Sequence, residues 1–177
     1  EHRLTASGLG IPVGMKNPTS GDISVMLNAI AAAQMGHTFI YRGWEVETTG
    51  NPMAHAILRG YVNRHGESLP NYHFEDLEHL YEAYRARNLS NMALIVDANH
   101  ANSRKDPHQQ RRICKEVLHS CRQDPNLKGL VKGFMVESYL ESGCQPIGGG
   151  IYGKSITDPC LGWEDTERLV KEIAELI

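Results

Sequence analysis

Four apolar runs punctuate the chain, and each is followed by a segment whose apolar residues recur at helical spacing. IPVGM (11–15) precedes a stretch in which Met26, Ala29, Ile30 and Ala33 share one face. HAILRG (55–60) precedes Leu77, Leu80, Tyr81 and Tyr84, and ALIVD (93–97) precedes Cys114, Val117, Leu118 and Cys121. The fourth run, LVKGFMVE (130–137), leads through a glycine-rich stretch to a last face of Thr166, Leu169, Val170 and Ile173. Strand followed by helix, repeated, predicts an α/β fold in which a parallel sheet carries its helices outside. FIY (39–41) and VETT (46–49) read as an extra hairpin inserted ahead of the second main strand. No linker or low-complexity segment interrupts the pattern, so residues 1–177 are expected to form a single domain.

The main strands end at Lys16, Arg59, His100 and Glu137, roughly 40 residues apart, which accommodates one βα unit of ~30 residues or more. In open α/β sheets and closed barrels alike, the carboxyl ends of the strands form one face where ligands bind. These four side chains are therefore expected to converge. The third strand end is the most polar. VDANHANSRK (96–105) places Asp97, Asn99, His100, Asn102 and Ser103 together, more polar chemistry than a turn requires, and it reads as a working surface. His100, Glu137 and the later Asp158 offer one nitrogen and two carboxylates, a set that suits Mn, Fe or Zn. The competing reading is a structural histidine, with Glu137 paired to a lysine. Lys16 and Arg59 suit a phosphate or carboxylate; the alternative is a pair of solvated charges at loop starts. Arg59 lies directly after an apolar strand, between Leu58 and Gly60, an unusual place for a free surface arginine.

Composition narrows the partners. The net charge is -3, with 18 basic and 21 acidic residues spread along the chain, so no broad cationic face tracks a nucleic-acid backbone. The longest apolar runs fall far short of the ~20 residues needed to cross a bilayer, and no basic-then-apolar leader opens the sequence. A cytoplasmic location is expected by default. Cys114, Cys121, Cys144 and Cys160 form no C-x-x-C pair or zinc-ribbon spacing and are read as reduced. GGGIYGKSITDPC (148–160) matches neither a P-loop nor a dinucleotide fingerprint. Its glycines permit close approach to a ligand or, equally, a flexible lid. Cys160 stands two residues from Asp158, and loop neighbours at that spacing rarely share one ion, so packing is its expected role.

Taken together, HRLTASGLGIPVGMKNPT, HAILRG, PNYH, IVDANHANS, MVES and YGKSITDPCLGWEDT make the chain resemble the type I 3-deoxy-D-arabino-heptulosonate 7-phosphate (DAHP) synthases over essentially its whole length. The resemblance implies a TIM (β/α)8 barrel that condenses phosphoenolpyruvate with erythrose 4-phosphate in the first step of the shikimate pathway, towards aromatic amino acids. It implies that Lys16 and Arg59 hold phosphoenolpyruvate, that His100, Glu137 and Asp158 bind a divalent metal ion (Mn, Fe, Co or Zn), and that Lys16 and His100 are catalytic. These residues coincide with the set collected from the four strand ends and the late loop.

The departures are as informative. The family's cysteine ligand and its Lys-Pro-Arg-Thr and Gly-Ala-Arg-Thr phosphate loops lie early in the chain and have no counterpart here. A complete barrel takes ~250 residues, so the expectation is the last four βα units with an inserted hairpin, the C-terminal half of a synthase, inactive alone. Exposed sheet edges and an apolar inner face predict association, with itself as a homo-oligomer or with the missing N-terminal half. The alternative is a non-catalytic half-barrel homologue that binds a phosphorylated ligand or a protein partner.

Overall fold

A short helix, α1 (His2–Ser7), precedes β1 (Val13–Lys16) and α2 (Ile23–Gln34) in a computed structural model that describes residues 2–177. The inserted hairpin follows as β2 (Thr38–Tyr41) and β3 (Trp44–Glu47), then β4 (Ala54–Leu58), a two-stranded ribbon of β5 (Tyr61–Val62) and β6 (Ser68–Leu69), and α3 (Phe74–Ala86). Next come β7 (Leu94–Asp97), the one-turn α4 (His100–Ser103), α5 (Gln109–Gln123), α6 (Pro125–Leu130) and β8 (Val131–Met135). The chain ends with β9 (Glu141–Cys144), β10 (Lys154–Ser155) and α7 (Trp163–Leu176).

The central sheet is parallel throughout, in the order β1-β4-β7-β8. Strand order follows chain order without reversal, and each strand is joined to the next by a connection that contains a helix, as parallel pairing requires. Register fixes which side chains share a face. Lys16 pairs with Ile57 and Ile57 with Ile95, so Lys16, Ile57, Ile95 and, two residues on, Asp97 point the same way. The opposite face carries Ala54, Ala56, Leu58, Leu94 and Val96, all buried beneath the helices with Met26, Leu27, Ile30, Leu77, Leu80, Ile113 and Val117. Helix starts follow local chemistry: Asp22 caps α2 by accepting from the Ser24 amide at 2.8 Å, and Asp124 caps α6 ahead of Pro125 in its first turn.

The α/β architecture, the four main strands and the hairpin match the pattern read from the sequence, although the second hairpin strand lies at Trp44–Glu47 rather than 46–49, and local packing differs. Leu27 and Ile113 are fully buried, which widens the apolar stripes of α2 and α5. Val170 was expected to dock with Leu169 but is 61% exposed. The helix α7 packs against α5, and that contact takes Leu169 and part of Ile173 while Val170 turns away from it. The glycine-rich segment is not a free lid: Gln145 donates to the carbonyls of Ile151 and Lys154 and accepts from the Ile151 amide, which staples the loop across its base. No helix among the described residues is long and apolar enough to cross a membrane.

Tyr84 offers a test of this core. Burial pushes its hydroxyl up to about 12, and the Ala93 backbone approaches it outside hydrogen-bonding geometry, so the group is buried without a partner. An unmade hydrogen bond of this kind costs about 1–3 kcal/mol. Tyr84→Phe should leave stability unchanged or raise it by about 1 kcal/mol in urea unfolding; a clear loss would reveal a partner that the core supplies.

Candidate metal and anion site

The carboxyl ends of the strands are clamped by buried amides. Asn17 follows β1, accepts the Arg59 amide at 2.9 Å and donates to the Gly60 carbonyl at 2.9 Å. Asn71 accepts the Gly60 amide at 2.7 Å, and its own amide donates to Asn102, which in turn donates to the Asp97 carbonyl at 2.8 Å. Backbone groups buried at strand ends need such partners. The arrangement also needs a glycine: Gly60 has φ of +71°, and a Cβ there would meet the Asn102 nitrogen at 2.5 Å. Glu137 is fixed in the same way, since fully buried Gln110 accepts its amide at 2.8 Å and donates to its carbonyl at 3.0 Å.

Asp97 is the hub. Its carboxylate has no exposed surface, and Oδ2 takes Lys16 Nζ at 2.9 Å while lying 2.8 Å from His100 Nδ1. The imidazole contact is close, but the N–H does not point at the oxygen, so it is an electrostatic contact rather than a good hydrogen bond. His100 stands three residues beyond β7, not at its end as the sequence pattern suggested, and opens α4 with a left-handed φ of 49°. Its Nε2 lies 3.4 Å from Glu137 Oε1, and ligand atoms of His100, Glu137 and Asp158 all fall within 4.8 Å of one another. Two ligands of one ion can be ~4.2 Å apart at most, so a closure of under ~1 Å would seat a divalent cation. The donor set fits one: an imidazole nitrogen and two carboxylates.

Asp158 comes from the loop after β10 and accepts from Lys105 Nζ at 2.8 Å. That hydrogen bond is the first reason its carboxyl sits below the usual range, with the charges of Lys105, His100 and Arg59 adding to it. Arg59, His100, Arg104 and Lys105 line a cavity of about 300 Å³ with Gly60 and Tyr61. Lys16 is not part of that wall. Read from the sequence as suited to a phosphate or carboxylate, it gives one of its donors to Asp97. Asn99, Asn102 and Ser103, read as parts of a working surface, are buried scaffold: Ser103 Oγ donates to Asn99 at 2.7 Å. Burial raises the thiols of Cys114, to about 12, and of Cys121 and Cys160, as suits packing groups, and Cys160 is not among the clustered ligands. Gln110, Asn17 and Lys105 were missed by sequence reasoning, because nothing in their spacing distinguishes them from surface polar residues.

Comparison with known proteins points to one family. The DAHP synthetase I family model matches residues 1–171. The chain is 40% identical over 184 aligned residues to a Trp-sensitive phospho-2-dehydro-3-deoxyheptonate aldolase of Escherichia coli O6:H1, covering 99% of this chain and 50% of that protein. A relative of the same description from Buchnera aphidicola is 38% identical over the same share. A solved structure of phospho-2-dehydro-3-deoxyheptonate aldolase from Francisella tularensis superposes with a TM-score of 0.87 at 30% identity, over 99% of this chain and 51% of that one. The chain spans about half the length of the curated relatives it matches.

The burial of Asp97 against the partial exposure of Lys16 predicts an asymmetry. Removing the cation strands a carboxylate with no exposed surface, whereas neutralising the carboxylate leaves a lysine that can turn to water. Lys16→Met should cost about 3 kcal/mol or more and Asp97→Asn about 1–3 kcal/mol, with the double variant recovering part of the Lys16→Met loss. Urea unfolding of the three proteins checks this; equal and additive losses would contradict it.

Proposed function

The chain belongs to the DAHP synthetase I family, and on that premise we propose that it forms, as one domain, the C-terminal half of a (β/α)8 barrel 3-deoxy-7-phosphoheptulonate synthase. The reaction is the condensation of phosphoenolpyruvate with D-erythrose 4-phosphate and water to DAHP and inorganic phosphate. The observation that carries the reading is the meeting of His100, Glu137 and Asp158 beside Arg59 at the carboxyl end of a parallel sheet. Sequential strand order supports the barrel, as does a sheet face bearing Lys16, Ile57, Ile95 and Asp97 with the helical core on the opposite side.

Arg59 holds the phosphoenolpyruvate anion with a guanidinium whose backbone is pinned by Asn17. Lys16 keeps two N–H donors beyond the one given to Asp97, enough to orient the same substrate while its charge is balanced from below. His100, Glu137 and Asp158 would hold the divalent ion, which when bound would supply Lewis acidity at the aldehyde. Parallel sheets are normally covered on both faces. The second face here is completed by a complementary half, which also brings the remaining phosphate-binding groups, or is covered by another copy of the chain, which lacks them.

The chain by itself should release negligible phosphate from the two substrates, since positioning groups account for many orders of magnitude in rate; brisk turnover by the pure chain would overturn the half-site reading. In the assembled enzyme His100→Ala should lose Mn and activity together. Arg59→Ala should retain Mn while KM for phosphoenolpyruvate rises about tenfold or more. Metal analysis beside kinetics decides, and loss of metal in both variants would break the division of roles.

A further inference from the structure

We infer that Lys105 is a positioning residue of the metal site, holding the Asp158 carboxylate within reach of His100 and Glu137. The inference rests on the metal reading above and deepens it. Of the three candidate ligands, Glu137 is clamped by Gln110 and His100 lies against buried Asp97, but Asp158 sits in an irregular loop, and the side-chain bond found on its carboxylate is the one from Lys105, 2.8 Å long and 53 residues away in sequence. Asp158 therefore depends on Lys105 in a way that the other two ligands do not.

The backbone that carries Lys105 is built for the purpose. Among the described residues five non-glycine positions have left-handed φ, and three of them, His100 (49°), Arg104 (55°) and Lys105 (61°), fall on this one turn. Such conformations are unfavourable for residues with a Cβ and collect where a site requires them. The Lys105 amide donates to the His100 carbonyl at 2.9 Å, so the turn that presents the imidazole also sets the origin of the lysine. One segment thus delivers a ligand directly and a second ligand by tether.

Charge alone predicts the opposite effect of Lys105. An ammonium next to the site repels a divalent cation, so deleting it should tighten metal binding unless its role in placing Asp158 is worth more. Mn titration of the intact protein, followed by the electron paramagnetic resonance of free Mn, separates the two. Lys105→Met should weaken Mn binding about tenfold, the lower end of what loss of a group orienting a ligand does. Lys105→Arg should restore it to within about threefold, and thermal midpoints of both should match wild type because the side chain is largely exposed. In an Asp158→Asn background, Lys105→Met should no longer weaken Mn binding and should leave it equal or tighter, since the weakening runs through that carboxylate and only the charge repulsion remains. Equal or tighter binding by Lys105→Met, or an undiminished loss in the Asp158→Asn background, overturns the inference and leaves the metal site standing. Absence of Mn binding by the wild-type protein overturns the metal reading and the inference with it.

Discussion

A carboxylate sealed from solvent at the end of β7 sets the terms on which the rest of the site is built. Asp97 has no exposed surface, and a buried charge is tolerable only when paired and hydrogen-bonded. Its partners come from both sides: Lys16 from the far strand β1 and His100 from the turn that follows β7 itself, with the Asn99 amide as a third at 3.0 Å. Satisfying one acid thus fixes where a cation and an imidazole must stand. The asparagines around it extend the same logic to the backbone, since Asn17, Asn71 and Asn102 each bind main-chain atoms across different strands and lock the strand ends in relative position. The site inherits its geometry from this buried polar layer more than from the side chains that would touch substrate.

Below that layer the two faces of the sheet have different fates. One packs on helices with alanine, leucine and valine, close enough that β4 is buried almost throughout. The other alternates Gly14, Lys16, His55, Ile57 and Ile95, and its small and polar residues could not seal an independent core. That mixture makes sense if the surface lines an enclosed interior shared with further strands, which agrees with a chain that covers half of its relatives' length.

The large features were legible because they follow from periodicity. Apolar runs with helical stripes between them gave the order of strands and helices, and strand-end position gathered Arg59, His100 and Glu137 before any contact was known. The ion pair of Lys16 with Asp97 was within reach too, since pleat parity and register put both on one face, but it required pairing partners that a single sequence does not state. The clamps were not legible. Gln110 lies in an amphipathic helix of strongly polar composition, where a buried glutamine looks like its solvated neighbours, and its role exists only because the first turn of α5 meets the segment that follows β8. Asn102 and Ser103 misled in the other direction, for polar residues clustered at a strand end can serve the backbone as readily as a ligand.

The site also joins parts of unequal rigidity. Arg59 and Glu137 stand one and two residues beyond strands of the main sheet and have their amides held by buried side chains, so their placement shares the stability of the core. His100 is held through a strained turn, and Asp158 arrives on a loop whose shape depends on Gln145 at its base and on positive φ at Gly148, Gly150 and Gly153 along its length. Local stability falls along that series, because each later group depends on fewer buried contacts. A bound ion drawing the three donors together by a fraction of an ångström would therefore move the loop toward the strands rather than the reverse. Closure of the metal site would then be a small adjustment of a stapled loop, and the fold supplies a firm half against which a softer half can settle.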